Sequence, residues 1–198
     1  MIGDTRSPLD GVAIPGRYGV ADGVAGVFAE LRWPASIALV TARLGRETDC
    51  VDRLSTLGVG KLRKGRAIRG KNCDVVWAGP GKYLVQTAKD LGLEETLSSL
   101  CGGAAAVVDQ SDGRFVLRLG GSAISRCLAK GVSIDLHPRV FGAGGTASLM
   151  IGHVQGQLTR FGTDLVYELM SPRSTAADLW HWLVASAGEF GLDYRASG

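Results

Sequence analysis

The chain has 198 residues, of which 45% are hydrophobic and 21% are charged, and its formal net charge is +3 at pH 7. This length and composition are typical of a globular protein with one large domain or two small ones. So small a net charge does not by itself indicate a nucleic acid or a membrane as partner. The 29 glycines fall singly or in pairs at the ends of predicted elements and not in tracts, which favours many tight turns over disorder.

The cysteines and the absence of targeting signals bear on the cellular compartment. Cys50, Cys73, Cys101 and Cys127 form no C-x-x-C pair, which disfavours a zinc knuckle or a thioredoxin-type redox motif. We expect four structural free thiols in a reducing compartment. Residues Met1–Gly19 lack the apolar segment of a secretory signal, and no stretch approaches the length of a membrane span. The expected location is the cytoplasm, with no membrane partner.

Regular structure is predicted to begin late in the chain. Residues 1–36 contain prolines and scattered glycines without a hydrophobic period, and we expect an irregular leader that packs on or wraps a partner. The β-branched run Ile37–Leu44 predicts the first strand. A short helix follows, with Asp49 as its cap and Gly58 at its end.

Residues 37–110 predict a first α+β lobe. After the first strand and helix, its predicted elements are the hairpin strands Asp74–Ala78 and Tyr83–Thr87 around Gly79-Pro80-Gly81, a helix that Asp90 opens and Gly102 ends, and the small, buried strand Ala104–Val108.

Residues 111–198 repeat this order and predict a second α+β lobe. Its predicted elements are the strand Phe115–Leu119, a helix capped by Ser122, the strands Ser148–His153, Gln157–Phe161 and Leu165–Met170 with turns at Gly156 and Gly162, and a final helix with Ser171 at the N-cap and Pro172 at its first position. Each lobe reads strand, helix, hairpin, helix. The predicted fold class is therefore α+β, with a duplicated ferredoxin-like unit.

No motif for catalysis is complete in this sequence. Gly79-Pro80-Gly81-Lys82 resembles part of a P-loop, but Tyr83 follows the lysine where Ser or Thr is needed. Gly120-Gly121-Ser122-Ala123-Ile124 begins like a nucleophile elbow but lacks the closing glycine. The three histidines have no partners at metal-ligand spacing. We predict no catalytic, cofactor-binding or metal-binding residue on this chain.

One segment is strongly basic and has no acidic residue within it: Lys61, Arg63, Lys64, Arg66, Arg69 and Lys71. Three interpretations stay open, namely a solvated connection between helix and hairpin, a surface that docks an acidic partner, and a site for nucleic acid or an anionic cofactor. The segment offers no aromatic side chain for base stacking, so we expect no nucleic-acid partner.

Several unusual strings occur in a fixed order, mostly in the second half: Trp77–Leu84, Asp109–Phe115, Leu117–Gly121, Leu128–Leu136, His137–Phe141, Gly162–Glu168 and Arg173–Leu183. In this order they resemble the gamma subunit family of heterotetrameric sarcosine oxidases. The resemblance covers roughly residues 70–191, and its most specific strings follow Asp109.

The resemblance implies an assembly that oxidises sarcosine to glycine, passes the one-carbon unit to tetrahydrofolate and produces hydrogen peroxide. FAD, FMN, NAD, tetrahydrofolate and zinc are then expected on the alpha, beta and delta subunits. The gamma subunit is expected to hold no cofactor and to pack mainly against alpha.

The family is also similar in fold to the folate-binding domain of aminomethyltransferases of the glycine cleavage system. Those enzymes place an acid on a strand that corresponds here to Gly156–Arg160, which contains none. The resemblance therefore transfers no catalytic residue and implies a scaffold used for assembly. Two other functions stay open: a free-standing folate-binding protein or aminomethyltransferase-like enzyme, and an RNA-binding module.

Candidate residues for a subunit interface come from the basic segment, from the string after Leu136 and from the last helix: Lys61, Arg63, Lys64, Arg66, His137, Arg139, Trp180 and His181. Trp180 and His181 fall off the apolar stripe of that helix, which favours an interface. The alternative for these two residues is a second buried face of the same helix.

Overall fold

The computed structural model describes residues 7–32, 36–88 and 92–195. In chain order the elements are β1 (Gly16–Tyr18), β2 (Val27–Arg32), β3 (Ser36–Ala42), α1 (Glu47–Ser55), β4 (Ala67–Arg69), β5 (Asp74–Gly79), β6 (Lys82–Thr87), α2 (Leu93–Cys101), β7 (Ala105–Asp109), β8 (Arg114–Gly120), α3 (Ile124–Leu128), β9 (Gly145–Ile151), β10 (Val154–Arg160), β11 (Val166–Pro172), α4 (Ala176–Ala187) and β12 (Leu192–Arg195). Short 3₁₀ turns precede β7, α4 and β12.

The strands form two sheets. One has five strands in the order β4-β5-β6-β3-β7, all antiparallel. Its neighbours β5-β6-β3-β7, with α1 and α2 as connections, reproduce the ferredoxin-like arrangement. The other sheet has seven strands in the order β1-β12-β2-β8-β11-β10-β9. It repeats the arrangement, with β2 inserted between β8 and β12. The predicted α+β class is confirmed, whereas the lobe boundary at residue 110 stays a prediction.

The irregular leader predicted for residues 1–36 is wrong at β1 and β2; residues 1–6 and 33–35 lie outside the described residues. Strand β2 runs antiparallel to β8 and parallel to β12, well inside the seven-stranded sheet. Its residues alternate in burial, with Val27, Ala29 and Leu31 buried. The period-2 pattern was present in the sequence but spans only six residues.

The two sheets face each other, and the helices cover their outer faces. Side chains from α3 and α4 pack on the seven-stranded sheet, and side chains from α1 and α2 pack on the five-stranded sheet. A smaller apolar cluster joins the inner faces: Ile37, Ala67, Val76, Leu84, Val116 and Met170. All four cysteines are free and buried. None of the helices in the described parts of the chain is long and apolar enough to span a bilayer.

The predicted helix caps are wrong at three positions. Asp49 lies in the first turn of α1 and binds Arg53 there, with Nε–Oδ1 at 2.7 Å. Ser122 is exposed and precedes α3, whose cap position is Ala123. Ser171 belongs to β11, where its buried hydroxyl donates to the Gln155 carbonyl at 3.0 Å. Asp90 lies outside the described residues.

Two strand predictions also need correction. Gly156 lies within β10, and the turn between β9 and β10 falls at Gly152, whose φ of 59° suits glycine. Strand β7 is not a buried strand, because it lies at a sheet edge and Val108 is 50% exposed. The hairpin of β5 and β6 is confirmed, as is the turn near Gly162.

Candidate functional site

A buried carboxylate lies between the two sheets. Glu168 on β11 is 7% exposed and accepts hydrogen bonds from side chains on three other strands. Arg32 on β2 and Arg69 on β4 both bind its Oε1, the latter at 2.7 Å from Nη2. Gln86 on β6 donates from Nε2 to Oε2 at 3.1 Å. Both oxygens of Glu168 are therefore engaged, and the side chain links the two sheets.

Asp74 on β5 completes this group. Gln86 Nε2 also donates to Asp74 Oδ2 at 3.3 Å, and Arg69 Nε lies 3.4 Å from the same oxygen. Burial raises the pKa of Asp74, while Arg69 and Gln86 partly offset that effect. We call Arg32, Arg69, Asp74, Gln86 and Glu168 the Glu168 cluster. Its two carboxyl groups and two guanidinium groups balance each other in charge when all are ionised.

The cluster forms one wall of a cleft. The Arg69 guanidinium lies 4.1 Å from the centre of the Phe161 ring, a cation–π contact that fixes its orientation. The cleft measures about 270 Å³ and is lined by Arg32, Arg69, Lys71 and Gln86 among others. The Gln86 Oε1 atom is buried without a hydrogen-bond partner among the described residues. The cleft thus offers basic groups together with the Asp74 carboxyl group.

Strand β10 carries a second buried polar row. Gln157 donates from Nε2 to the Trp77 carbonyl at 3.0 Å and to Thr146 Oγ1 at 2.6 Å. The Thr146 and Thr159 hydroxyls lie 2.8 Å apart. Arg160 is also buried, and its guanidinium donates to the Phe141 carbonyl at 3.1 Å. These residues are held by structural hydrogen bonds, which also join β10 to the five-stranded sheet.

The sequence-based reasoning missed Glu168 as a site residue. It noted that Gly156–Arg160 lacks an acid, and the structure pairs Thr159 of that strand directly with Glu168 on β11. The sequence held one indication of this site, since Glu168 is a lone acid within the apolar run Val166–Met170. A charge in such a strand is buried only when it is paired.

Two of the predicted interface segments lie side by side. Arg66 donates from Nη2 to the Ala143 carbonyl at 2.6 Å, and the Ala67 amide donates to the Gly144 carbonyl at 2.8 Å. The contacted loop follows His137 and Arg139, both exposed. Lys61, Arg63 and Lys64 are exposed as well, whereas Arg69 of the same basic segment belongs to the Glu168 cluster.

Trp180 is not a surface residue, so its assignment to an interface is corrected. It is 1% exposed and packs against Tyr18 and Tyr194, with ring centres 5.3 Å and 4.6 Å away. Helix α4 thus has a second buried face, turned toward β1 and β12. His181 is exposed on the same helix. In the described parts of the chain, no three His, Cys, Asp or Glu residues are grouped to hold a metal ion.

Comparison with known proteins decides the family. The model of the family described as "Sarcosine oxidase, gamma subunit family" matches residues 65–189. The chain belongs to the sarcosine oxidase gamma subunit family. This gamma-family chain is 31% identical to sarcosine oxidase subunit gamma of Arthrobacter sp. over 139 residues, which is 69% of this chain and 68% of the relative. It is also 31% identical to that of Corynebacterium sp. (strain U-96) over 117 residues, 59% of this chain and 57% of the relative.

Solved structures agree with this family in fold. The gamma-family chain matches a chain of heterotetrameric sarcosine oxidase from Corynebacterium sp. U-96, in complex with pyrrole 2-carboxylate, with a TM-score of 0.78 and 24% identity over 93% of this chain and 95% of that one. It matches glycine cleavage system aminomethyltransferase T from Bartonella henselae with a TM-score of 0.60 and 14% identity, over 86% of this chain and 48% of that one. Both likenesses show the fold alone.

Proposed function

We propose that this chain is a non-catalytic gamma subunit of a heterotetrameric sarcosine oxidase that acts in assembly by packing against the alpha subunit. The observation that carries the proposal is the state of Glu168, the most buried carboxylate of the inter-sheet region. Its two oxygens are taken by Arg32, Arg69 and Gln86. A general base must reach the proton that it abstracts, and this carboxylate faces protein donors instead. The contacts of the Glu168 cluster therefore favour a structural role, in which it links the two sheets.

The remaining chemistry of the complex is assigned to other chains. We propose that the alpha, beta and delta subunits hold FAD, FMN, NAD, tetrahydrofolate and zinc, and that the assembly oxidises sarcosine to glycine with transfer of the one-carbon unit and release of hydrogen peroxide. Its relatives in Arthrobacter and Corynebacterium are sarcosine oxidase subunits, which supports this assignment. The cytoplasm is the proposed location.

The proposed contact with the assembly includes the basic segment and its neighbouring loop. Lys61, Arg63 and Lys64 are exposed, and Arg66 ties them to the loop after His137 and Arg139. A partner with an acidic surface would meet these charges together, since they project from adjacent segments. His181 stays a separate candidate on α4.

Co-expression tests the proposal. A tagged copy of the chain, produced with its three companion subunits, is expected to recover all of them in fixed stoichiometry, with alpha retained most firmly as salt is raised. The flavin absorbance is expected to belong to the other chains and to be absent from this chain purified alone. A stable monomer that recovers no alpha would contradict the proposal.

A second candidate function, binding of tetrahydrofolate by this chain itself, is favoured by the cleft beside the Glu168 cluster. Its arginines and Lys71 suit carboxylates, and Asp74 and Gln86 line the same cleft as polar partners. Isothermal titration of the isolated chain with tetrahydrofolate separates the candidates. Micromolar affinity that is lost in Arg69→Ala would establish this function, and absence of heat at millimolar ligand would exclude it.

A further inference from the structure

One edge of the five-stranded sheet has no neighbouring strand in the described parts of the chain. Strand β7 pairs with β3 on one side, and no described strand pairs with its other side. The opposite edge of the same sheet, β4, is covered, because the Ala67 amide donates to Gly144 and Arg66 bridges to Gly145. An uncovered strand of five residues presents a row of backbone donors and acceptors to another chain.

The hydrogen-bond pattern shows which residues face outward. The Gln110 amide donates to the Ile37 carbonyl at 2.8 Å, and the Arg43 amide donates to the Ala104 carbonyl at 2.9 Å. Antiparallel pairing alternates, so residues 104, 106, 108 and 110 bond to β3 while 105, 107 and 109 point their backbone groups away from it. Val107 therefore presents an unpaired N–H and C=O at the edge, and Asp109 presents its N–H, whereas the Asp109 carbonyl accepts a hydrogen bond from Gln110 Nε2 at 3.1 Å.

This edge lacks the usual protection against strand addition. Its residues are Ala105, Ala106, Val107, Val108 and Asp109, so that no lysine, proline or bulge interrupts it. Val108 is 50% exposed on one face of the strand. Leu44, which follows the residue paired with Ala104, is 98% exposed at the far end. Ala105–Val108 form an apolar edge that carries a charge only at Asp109, and in a chain of a multisubunit family such an edge favours pairing with a partner strand.

The two ends of the edge differ in charge. A groove of about 370 Å³ at the Asp109 end is lined by four carboxylates, namely Glu94, Glu95, Asp109 and Asp112, and its described lining includes no basic residue. The Leu44 end is apolar. A strand that pairs with β7 would therefore meet apolar side chains at the Leu44 end and carboxylates at the Asp109 end. Its basic residue would lie at the Asp109 end.

We propose that β7 accepts an extended segment of another subunit of the complex as a sixth strand of this sheet. The segment is apolar beside Val108 and Leu44 and carries a lysine or arginine where it passes the acidic groove. The main-chain bonds to the N–H and C=O of Val107 and to the N–H of Asp109 supply affinity, and the groove supplies direction. This inference rests on the proposed role as an assembly subunit and names the surface that performs it.

Hydrogen exchange resolved to single amides tests this directly, in the free chain and in the co-purified complex. In the free chain the amides of Ala106 and Val108 are expected to exchange slowly and those of Val107 and Asp109 rapidly. In the complex the Val107 and Asp109 amides are expected to slow at least about a hundredfold, because exchange then requires the added strand to open. Rapid exchange at Val107 in an intact complex would overturn the inference.

A substitution gives the second readout. Val108→Lys places an edge-protecting charge on an exposed position and leaves the backbone bonds to β3 in place. We expect severalfold lower recovery of the companion subunits, with unchanged thermal stability of the chain alone. Val24→Lys, the same change at a position 96% exposed, is the matched control and is expected to assemble normally. Equal recovery of both variants would overturn the inference.

These experiments distinguish failure of the proposed function from failure of the inference about β7. If the chain recovers no companion subunit, the proposed function and this inference both fall. If the complex forms and only the β7 amides stay unprotected, the inference falls and the proposed function stands. Concentration-dependent protection of Val107 in the chain alone would make a second copy the occupant and would also overturn the inference.

Discussion

The contacts between the two sheets depend on the charge of Glu168. A buried carboxylate is tolerated only with partners, and this one has donors from β2, β4 and β6. Because those strands belong to both sheets, the loss of one side chain disturbs contacts across the whole interface between the sheets.

Glu168→Gln should lower the free energy of unfolding by about 1–3 kcal/mol, since Arg32 and Arg69 lose their shared counter-charge. The two arginines are partly exposed, so that solvent screening keeps the loss below that of a fully buried pair. Urea denaturation measures the change. Asp74→Asn is the control within the same cluster.

That control is expected to be neutral or slightly stabilising at pH 7. Burial raises the pKa of Asp74 in the folded chain, so its contribution to stability is present below its unfolded pKa and is lost as the pH rises through the folded value. The Asp74→Asn variant carries no charge at this position at any pH, so it does not lose stability in this way. Equal unfolding free energies for Glu168→Gln and wild type would contradict the bracing role.

The Cys127 thiol gives a prediction in the alkaline range. Burial raises its pKa to about 11 from an ordinary value of 9.0. Below about pH 9 the thiol is protonated in both states, and between pH 9 and 11 the unfolded chain ionises first, so stability falls there. We expect the difference in unfolding free energy between wild type and Cys127→Ala to decrease by about 2 kcal/mol from pH 8 to pH 10.5. If this difference stayed constant over the same pH range, the thiol would lie in a polar site that does not raise its pKa.

At the scale of elements, local signals account for what the sequence predicts. The β5–β6 hairpin was found because Gly79, Pro80 and Gly81 mark its turn, and Gly81 adopts a φ of 65°. Strand β2 was missed because its partners β8 and β12 come from far along the chain. Helix starts were misplaced because Asp49 and Ser122 have the composition of caps without the geometry.

The candidate site was predicted less fully than the fold. Its arginines, Arg32 and Arg69, lie in a presumed leader and a basic segment, and their meeting at Glu168 depends on how two sheets pack. No spacing rule in the sequence brings together strands from both halves. Burial of a lone acid in β11 was the one available indication.

Leu31→Ala tests whether β2 is part of the core. Leu31 is 4% exposed, and its truncation is expected to cost about 2–4 kcal/mol through lost burial and a residual cavity. Val24→Ala, which lies in the same predicted leader but is 96% exposed, should change stability by less than about 0.5 kcal/mol. Similar values for the two variants would restore the leader hypothesis. Thermal or urea unfolding measures both.

At the scale of the whole molecule, the exposed basic charges are the second contact that we propose with the assembly. Lys61→Glu with Lys64→Glu is expected to weaken recovery of the alpha subunit severalfold, since both side chains are exposed on the basic segment. Lys82→Glu with Arg126→Glu reverses the same charge at exposed positions outside both proposed contacts and is expected to leave recovery unchanged. Equal recovery of both pairs at low salt would remove the basic segment from the interface.

We propose that this chain supplies structure and no catalytic group to its complex. Its direct test is the rate of sarcosine-dependent hydrogen peroxide formation per assembled complex, with Asp74→Asn and Lys71→Ala combined in this chain to remove titratable groups of the cleft. We predict a turnover within about twofold of the wild-type complex, because neither group then touches the reacting atoms. A loss of tenfold or more in a fully assembled complex would contradict the account.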